Sequence, residues 1–264
     1  MTPAAAAVVP VRGHGQLLTG CLRALAAQTA GELRVVVVDD SPDGSLVLPP
    51  GTAPAGTTVL RSGGRGPYAA RNLAAGALDV DVLLFLDARS RPHPGWARAL
   101  LGLFEDPAVA LGGSDVRVCG GPSLAAAASE LQQFARLRNY VAANHFMPYL
   151  PTCNLAVRRS DFTAVGGFRD VRSGGDADLC WRVLSRPDRR LATVEEVLMD
   201  WLPRTSVVEL VEQHYRYGRS TFELRRSWQG RGAAVPRPLP YWRLVRRTGW
   251  LGVRAGAAWA RRDR

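Results

Sequence analysis

The stretch "SGGDADLCWRVL" sets two carboxylates, Asp176 and Asp178, behind a pair of glycines at the start of a helical pattern. A carboxylate so placed can take the proton of a hydroxyl as that hydroxyl attacks carbon, and glycines let backbone and substrate approach closely. Asp178 stands four residues before Arg182, so the two can pair along one helix face and orient the arginine. The simpler reading is a helix N-terminus stabilised by acids, typically worth under about 1 kcal/mol. Two more acidic clusters lie upstream. "VVVVDDSPDGS" ends an apolar run in Asp39 and Asp40, where turn chemistry alone would also favour Asp and Ser. "VDVLLFLDARSRP" ends another in Asp87 and follows it with Arg89. Two acids spaced one residue apart at a strand end often hold a divalent cation. Here a guanidinium, permanently charged and suited to bidentate binding of phosphate oxygens, stands at the second position. Arg91 can assist it or can be a solvated loop residue.

The elements that must position these groups alternate in type. "AAAAVVPV", "LRVVVVDD", "TTVLRS" and "VDVLLFLD" read as buried strands, separated by the helical patterns "QLLTGCLRALAAQ" and "PYAARNLAAGAL" and followed by "GWARALLGLFED". Strands alternating with helices of this size predict βαβ units: an α/β fold with a mostly parallel sheet and helices on both faces. Ligands of such sheets sit beyond the C-terminal strand ends, which puts Pro10, Asp39, Asp40 and Asp87 along one edge. An Ala-rich helix is expected over about 123–143, then a strand, "TCNLAVRR", and a Gly-rich turn, "VGGF". From Val207 the pattern turns helical, which divides the chain into a catalytic-sized domain, 1–205, and a basic C-terminal helical segment, 206–264.

Composition narrows the chemistry. All 34 basic residues are arginine, which excludes P-loop lysine binding of phosphate, Schiff-base chemistry and a Ser-Lys dyad. The net charge of +11 is unevenly placed: residues 1–200 carry 20 Arg against 19 acids, residues 201–264 carry 14 against 4. That argues for a nearly neutral domain with a basic appendage and against general nucleic-acid binding. Trp242, Trp250 and Trp259 interleaved with arginines suit an anionic membrane surface, or equally a helix docked on its own domain. With neither a leader pattern nor an apolar run long enough to span a bilayer, the expected location is cytoplasmic, at most peripheral at the inner membrane face. Cys21, Cys119, Cys153 and Cys180 are far apart, and His14, His93, His145 and His214 form no spaced pair, so neither a zinc cluster nor a His-based metal site is indicated. "GRGPYA", Gly64 to Ala69, fits a dinucleotide fingerprint and keeps an NAD-dependent enzyme as an alternative, although such fingerprints normally belong to the first βαβ unit.

The ordered set "VVPV", "VVVVDDSPDGS", "GPYAARN", "LLFLDAR", "CNLAVRRSDFTAVGGF" and "GGDADLCWR" resembles family-2 glycosyltransferases, inverting enzymes with the GT-A fold, over about residues 5 to 220. The resemblance implies a nucleotide-diphosphate sugar as donor. It also implies an acceptor hydroxyl on a glycan, lipid-linked glycan, peptide or small metabolite. It assigns Asp39 to the nucleotide base, Arg71 to the nucleotide, Asp87 to ribose or metal, and Asp176 to the catalytic base; "QHYRYGR", with His214, resembles the closing helix near the acceptor. Three positions depart from the pattern: Arg89 replaces the second acid, Gly175 stands where Glu is usual, and Trp201 stands where many metal-dependent members carry histidine. The expectation is transfer without a tightly bound cation, with Mn²⁺ or Mg²⁺ on Asp87 as one alternative and an inactive nucleotide-sugar binder as another.

Overall fold

In the computed structural model, residues 3–235 are described, apart from 14, 30–32, 49 and 143–145. His14, His145 and the tryptophan and arginine pattern of 242–262 therefore lie outside the described residues.

Elements alternate as the apolar runs predict: β1 (Ala5–Val11), α1 (Gly15–Ala26), β2 (Leu33–Asp39), β3 (Thr58–Arg61), α2 (Pro67–Ala77) and β4 (Val82–Leu86). Then come β5 (Ser90–Pro92), α3 (Trp96–Leu103), β6 (Val109–Val118), α4 (Leu124–Gln132), β7 (Asn154–Arg158), α5 (Arg159–Ala164), α6 (Gly175–Leu184), β8 (Arg190–Trp201) and α7 (Val207–Ser227). The eight strands form one sheet in the order β3-β2-β1-β4-β7-β6-β8-β5. Its first four strands pair in parallel, whereas β7 runs antiparallel to both β4 and β6, and β5 antiparallel to β8. The α/β expectation holds, and its parallel part is the half built from βαβ units. Beyond β4 the paired strands run antiparallel, and the sheet becomes mixed.

β1 and β4 are buried along their whole length, as strands covered on both faces must be. Side chains alternate across such a strand. Ala6, Val8, Leu83 and Phe85 pack with Tyr68, Ala70, Ala74, Phe162, Phe168, Leu179 and Val183 in one apolar cluster, and the equally buried Ala7, Val9, Leu84 and Leu86 face the other way. The helices α2, α5 and α6 thereby lock to the same face of the sheet, and α2 and α6 carry candidate site residues in their first two turns.

The chain packs as two compact units, one of Met1–Arg117 with Ala135–Trp201, the other of Val118–Phe134 with the chain from Leu202. The first contains the sheet. In the second, His214 Nε2 meets Gln132 Oε1 at 2.9 Å and its Nδ1 lies 2.8 Å from Leu210 O, so α4 and α7 are joined through a residue expected at the acceptor site. The Ala-rich helix is shorter than expected. It ends at Gln133, whose backbone is left-handed (φ 44°) and whose side-chain amide bonds Val118 N–H at 3.1 Å and Val118 O at 2.8 Å. A side chain that ties the helix end to the strand before it outweighs the helix propensity of the alanines. No described helix is long and apolar enough to cross a membrane.

Candidate active site

The C-terminal edge of the parallel strands carries the acids. β1 and β2 pair in register from Ala5↔Leu33 to Val11↔Asp39, with Pro10 opposite Val38. The neighbouring β4 pairs β1 only as far as Val8, so Pro10, which has no N–H to offer, lies past the ladder to β4. Asp39 is 1% exposed, and its two oxygens accept from Ser41 N–H at 2.9 Å and Leu46 N–H at 3.1 Å. Burial pushes its carboxyl up, but these hydrogen bonds and the Arg61 guanidinium outweigh burial and hold it below the usual carboxylate range. A fixed negative group thus organises the loop Ser41–Leu46 around the edge.

Asp40 faces a different task. Its carboxylate accepts from Ser62 Oγ at 2.7 Å and from Gly66 N–H at 3.1 Å, and is buried. Gly66 (φ 98°) is the N-cap of α2, and Pro67 follows it, so Asp40 takes up a donor at the mouth of the helix. The position a pyrophosphate would occupy in a dinucleotide site is served by an internal carboxylate. The "GRGPYA" motif is therefore explained as turn and cap, and Asp40 acts by shaping the loop.

The first two turns of α2 hold three partners. Arg71, 2% exposed, pairs through Nη2 with Asp87 Oδ1 at 2.8 Å; its Nη1 reaches Pro67 O, and its Nε is buried with no hydrogen-bond partner. Asn72 bonds both backbone groups of Phe168, at 2.8 and 2.9 Å, and so clasps the "VGGF" turn. Gly167 (φ 66°) has to be glycine: a Cβ there would stand 2.7 Å from Asn72 Oδ1. Tyr68 stacks on Phe168 with ring centroids 5.0 Å apart, accepts from Gly175 N–H at 3.0 Å, and lies 3.5 Å from Asp176 Oδ1.

Asp176 opens α6. It accepts from its neighbour Ala177 N–H at 3.0 Å and from Thr152 N–H at 3.4 Å. Burial raises its pKa above the ordinary value, and the backbone N–H groups and the Arg71 charge only partly offset this. A carboxyl pushed up by burial beside a site edge is the usual state of a general base or acid. Between Asp176 and Asp87 runs "PTCN". Thr152 reaches Asp176, Cys153 O accepts from Ser90 Oγ at 2.9 Å, and Ser90 in turn closes the Asp87–Ser90 turn with an N–H to Asp87 O bond of 2.9 Å. The Cys153 thiol is buried and held well above its normal pKa by burial first and then by Asp87 and Asp176, so it is a neutral spacer between two acids.

Asp178 and Arg182 form the expected i,i+4 pair, 2.8 Å from Nε to Oδ2, but the pair is buried and Arg169 takes the other oxygen at 3.0 Å. The remaining Arg182 donors go to Val165 O and Gly167 O. These two residues pin the "VGGF" turn beneath α6 and orient α6 from inside the protein. Asp178→Ala is expected to lower unfolding stability by about 3 kcal/mol in urea titration, because it strands the buried guanidinium; a loss within about 0.5 kcal/mol would remove the pair from the scaffold.

Arg89 sits half-buried on the turn after Asp87. Trp201, the last residue of β8, is buried and stands opposite Ser90 in the β5–β8 ladder, which sets it beside that turn. Its neighbour Asp200 is engaged by Arg117 with two contacts of 2.8 Å and by His93 at 3.4 Å. Arg91 is half-buried: its Nη1 bonds Ala88 O and Ser90 O, and its guanidinium fills the space over Gly20 that a Cβ would enter at 2.5 Å.

A parallel βαβ half extended by antiparallel strands, with acids at the strand ends and a buried helix arginine paired to one of them, is the GT-A arrangement of sugar transferases. Residues 6–166 match Glycosyl transferase family 2, and the chain belongs to that family. It is 32% identical over 228 residues to the pre-mycofactocin glycosyltransferases of Mycobacterium tuberculosis strains CDC 1551 / Oshkosh and ATCC 25618 / H37Rv. That match takes in 82% of this chain and 46% of theirs, so the chain spans less than half the length of these curated relatives. The crystal structure of S. aureus TarS shares the fold, with a TM-score of 0.56 at 16% identity over 75% of this chain and 36% of that one.

Many relatives implied by the resemblance use a divalent cation, and the donor set here does not fit a protein-held one. Asp87 is already paired with a buried guanidinium, Arg89 stands at the second acid position, and among the described residues no three His, Cys, Asp or Glu side chains converge.

Proposed function

We propose that this glycosyltransferase moves a sugar from a nucleotide diphosphate to an acceptor hydroxyl with inversion, and that it does so without a cation held by the protein. The observation that carries the reading is the pairing of two unlike carboxylates on one edge: Asp87, bonded to buried Arg71, and Asp176, half-buried with a raised pKa, with Cys153 between them. Asp176 takes the acceptor proton while the acceptor oxygen attacks the anomeric carbon from the face opposite the leaving group. The bond from that carbon to the diphosphate oxygen breaks, and the nucleoside diphosphate departs with the electron pair. Arg89, beside Asp87, offsets its charge. Asp39, held ionised, supports the nucleotide end.

Purified protein incubated with UDP-, GDP- and dTDP-sugars is expected to bind one nucleotide class and to hydrolyse that donor slowly in the absence of acceptor, followed by thermal shift and by release of free sugar. Binding without any turnover, with or without acceptor, would favour a non-catalytic nucleotide-sugar binder. The curated relatives are named for pre-mycofactocin, which makes that compound the first acceptor to try.

A further inference from the structure

Gly175 occupies the place where the resembling sequences usually carry an acid, and its surroundings give the substitution a physical reason. A Cβ at 175 would lie 2.8 Å from both Cε2 and Cζ of Tyr68, closer than real side chains come. The phenol of Tyr68 and a side chain at 175 are therefore mutually exclusive occupants of one volume. With Gly175 in place, the Tyr68 hydroxyl accepts the Gly175 N–H at 3.0 Å and points its own proton at Asp176 Oδ1, 3.5 Å away.

We propose that Tyr68 is a positioning residue for Asp176, its hydroxyl doing from helix α2 what a side chain at 175 would otherwise do from helix α6. This rests on the reading of Asp176 as the base.

Two further observations support it. The ring has little freedom, since it stacks on Phe168, which packs edge-on against Phe85 and Phe162 at 5.2 and 5.5 Å, so the hydroxyl is presented from a fixed point. Arg71, three residues on along the same helix face, holds Asp87 at 2.8 Å. One helix therefore carries the partners of both the donor-side carboxylate, Asp87, and the carboxylate that would take the acceptor proton, Asp176. The contact to Asp176 is at the long end of hydrogen bonding, as catalytic contacts often are before substrate tightens them. The groups that face Asp176 are Tyr68 and Arg71 from α2, the Cys153 thiol from the segment before β7, and the Cys180 thiol from α6. Both thiols are buried with pKa values raised far above neutrality, so Arg71 and the Tyr68 hydroxyl are the polar influences on the carboxylate that a substitution on α2 can change.

Tyr68→Phe keeps the ring and its stacking and deletes the hydroxyl. The expected result is a roughly five- to tenfold fall in kcat with donor KM unchanged, the effect of one neutral hydrogen bond lost in the transition state. The acid limb of the kcat profile should move up by roughly half a pH unit, because a donor that favoured the ionised carboxylate has gone. In an Asp176→Asn background the same change should have no further effect, and Gly175→Ala, which drives the ring away, should reproduce the loss. If Asp176→Asn is inactive while Tyr68→Phe matches wild type in kcat and pH profile, or lowers thermal stability without moving the acid limb, the positioning role is wrong and the base stands. If Asp176→Asn remains fully active, the reading of the base fails first, and Tyr68 has nothing to position.

Discussion

Asp176→Asn should lower sugar transfer by about 10²–10⁴-fold while donor affinity, read by calorimetry or thermal shift, stays near wild type. The amide is close in shape and its one oxygen can keep the shorter hydrogen bond, from Ala177 N–H, while the 3.4 Å contact from Thr152 N–H is given up, so α6 should keep its entry. What it cannot do is accept the acceptor's proton. The nucleotide side of the edge, Asp39, Arg71 and Asp87, is untouched, which is why binding and turnover should separate. The pH dependence of kcat supplies an independent reading. Burial raises the Asp176 pKa, and only the ionised form can act as a base, so activity should fall as pH drops through a value above the usual carboxylate range. The Asn variant should lose that limb altogether. A variant with wild-type turnover, or a wild-type acid limb at the value of a solvated aspartate, would take Asp176 out of the mechanism.

The parts of this site that were legible in the sequence are those whose local pattern fixes their place. A run such as "VVVVDD" reads as a buried strand ending in acids, and strand ends of βαβ units share one edge, so Asp39 and Asp87 are placed along that edge by the sequence. The helix starts of "GPYAARN" and "GGDADLCWR" were legible from Gly, Pro and the acids. Which helix turn reaches which partner was not, because that depends on packing between segments about 100 residues apart. Nothing in the local pattern singles out Tyr68, yet its hydroxyl meets Gly175, 107 residues away. The signal that could have found it is the pair itself: a glycine replacing an acid at 175 asks what fills the space. Asp40 and Arg91 show the same limit from the other side. Both look like ligand residues in sequence and make internal hydrogen bonds that periodicity does not foretell, Asp40 at the cap of α2 and Arg91 at backbone carbonyls over Gly20. The antiparallel half of the sheet and the joining of 118–134 to the chain beyond 202 were beyond periodicity, which reports faces and lengths but carries no information on pairing direction.

If Arg89 supplies the positive charge that a cation supplies in many relatives, wild-type turnover should survive EDTA and respond little to added Mn²⁺ or Mg²⁺, since the compensating charge is covalently part of the chain. The turn that carries Arg89 is stiffly held. Ser90 N–H closes it onto Asp87 O, Ser90 Oγ ties it to Cys153 O, and Arg91 clamps Ala88 O and Ser90 O. A guanidinium on so constrained a turn costs little reorganisation when charge develops, and Arg89→Ala should slow transfer by about 10²–10³-fold, as removal of one electrostatic stabiliser does elsewhere. Asp87 cannot take over alone, because Arg71 already neutralises it at 2.8 Å. Arg89→Asp is the sharper variant: it sets a second acid two residues from Asp87 and should recover part of the activity only when a divalent cation is supplied. Recovery should stop short of wild type, because Trp201, opposite Ser90 and buried, withholds the side-chain nitrogen that a histidine would bring to the same turn. Steady-state rates of wild type and both variants, with EDTA and with Mn²⁺ titrated back, test all of this in one experiment. A wild type that loses all turnover in EDTA and regains it with Mn²⁺ would mean that Asp87 and the donor phosphates together bind the cation, and that Arg89 does not stand in for it.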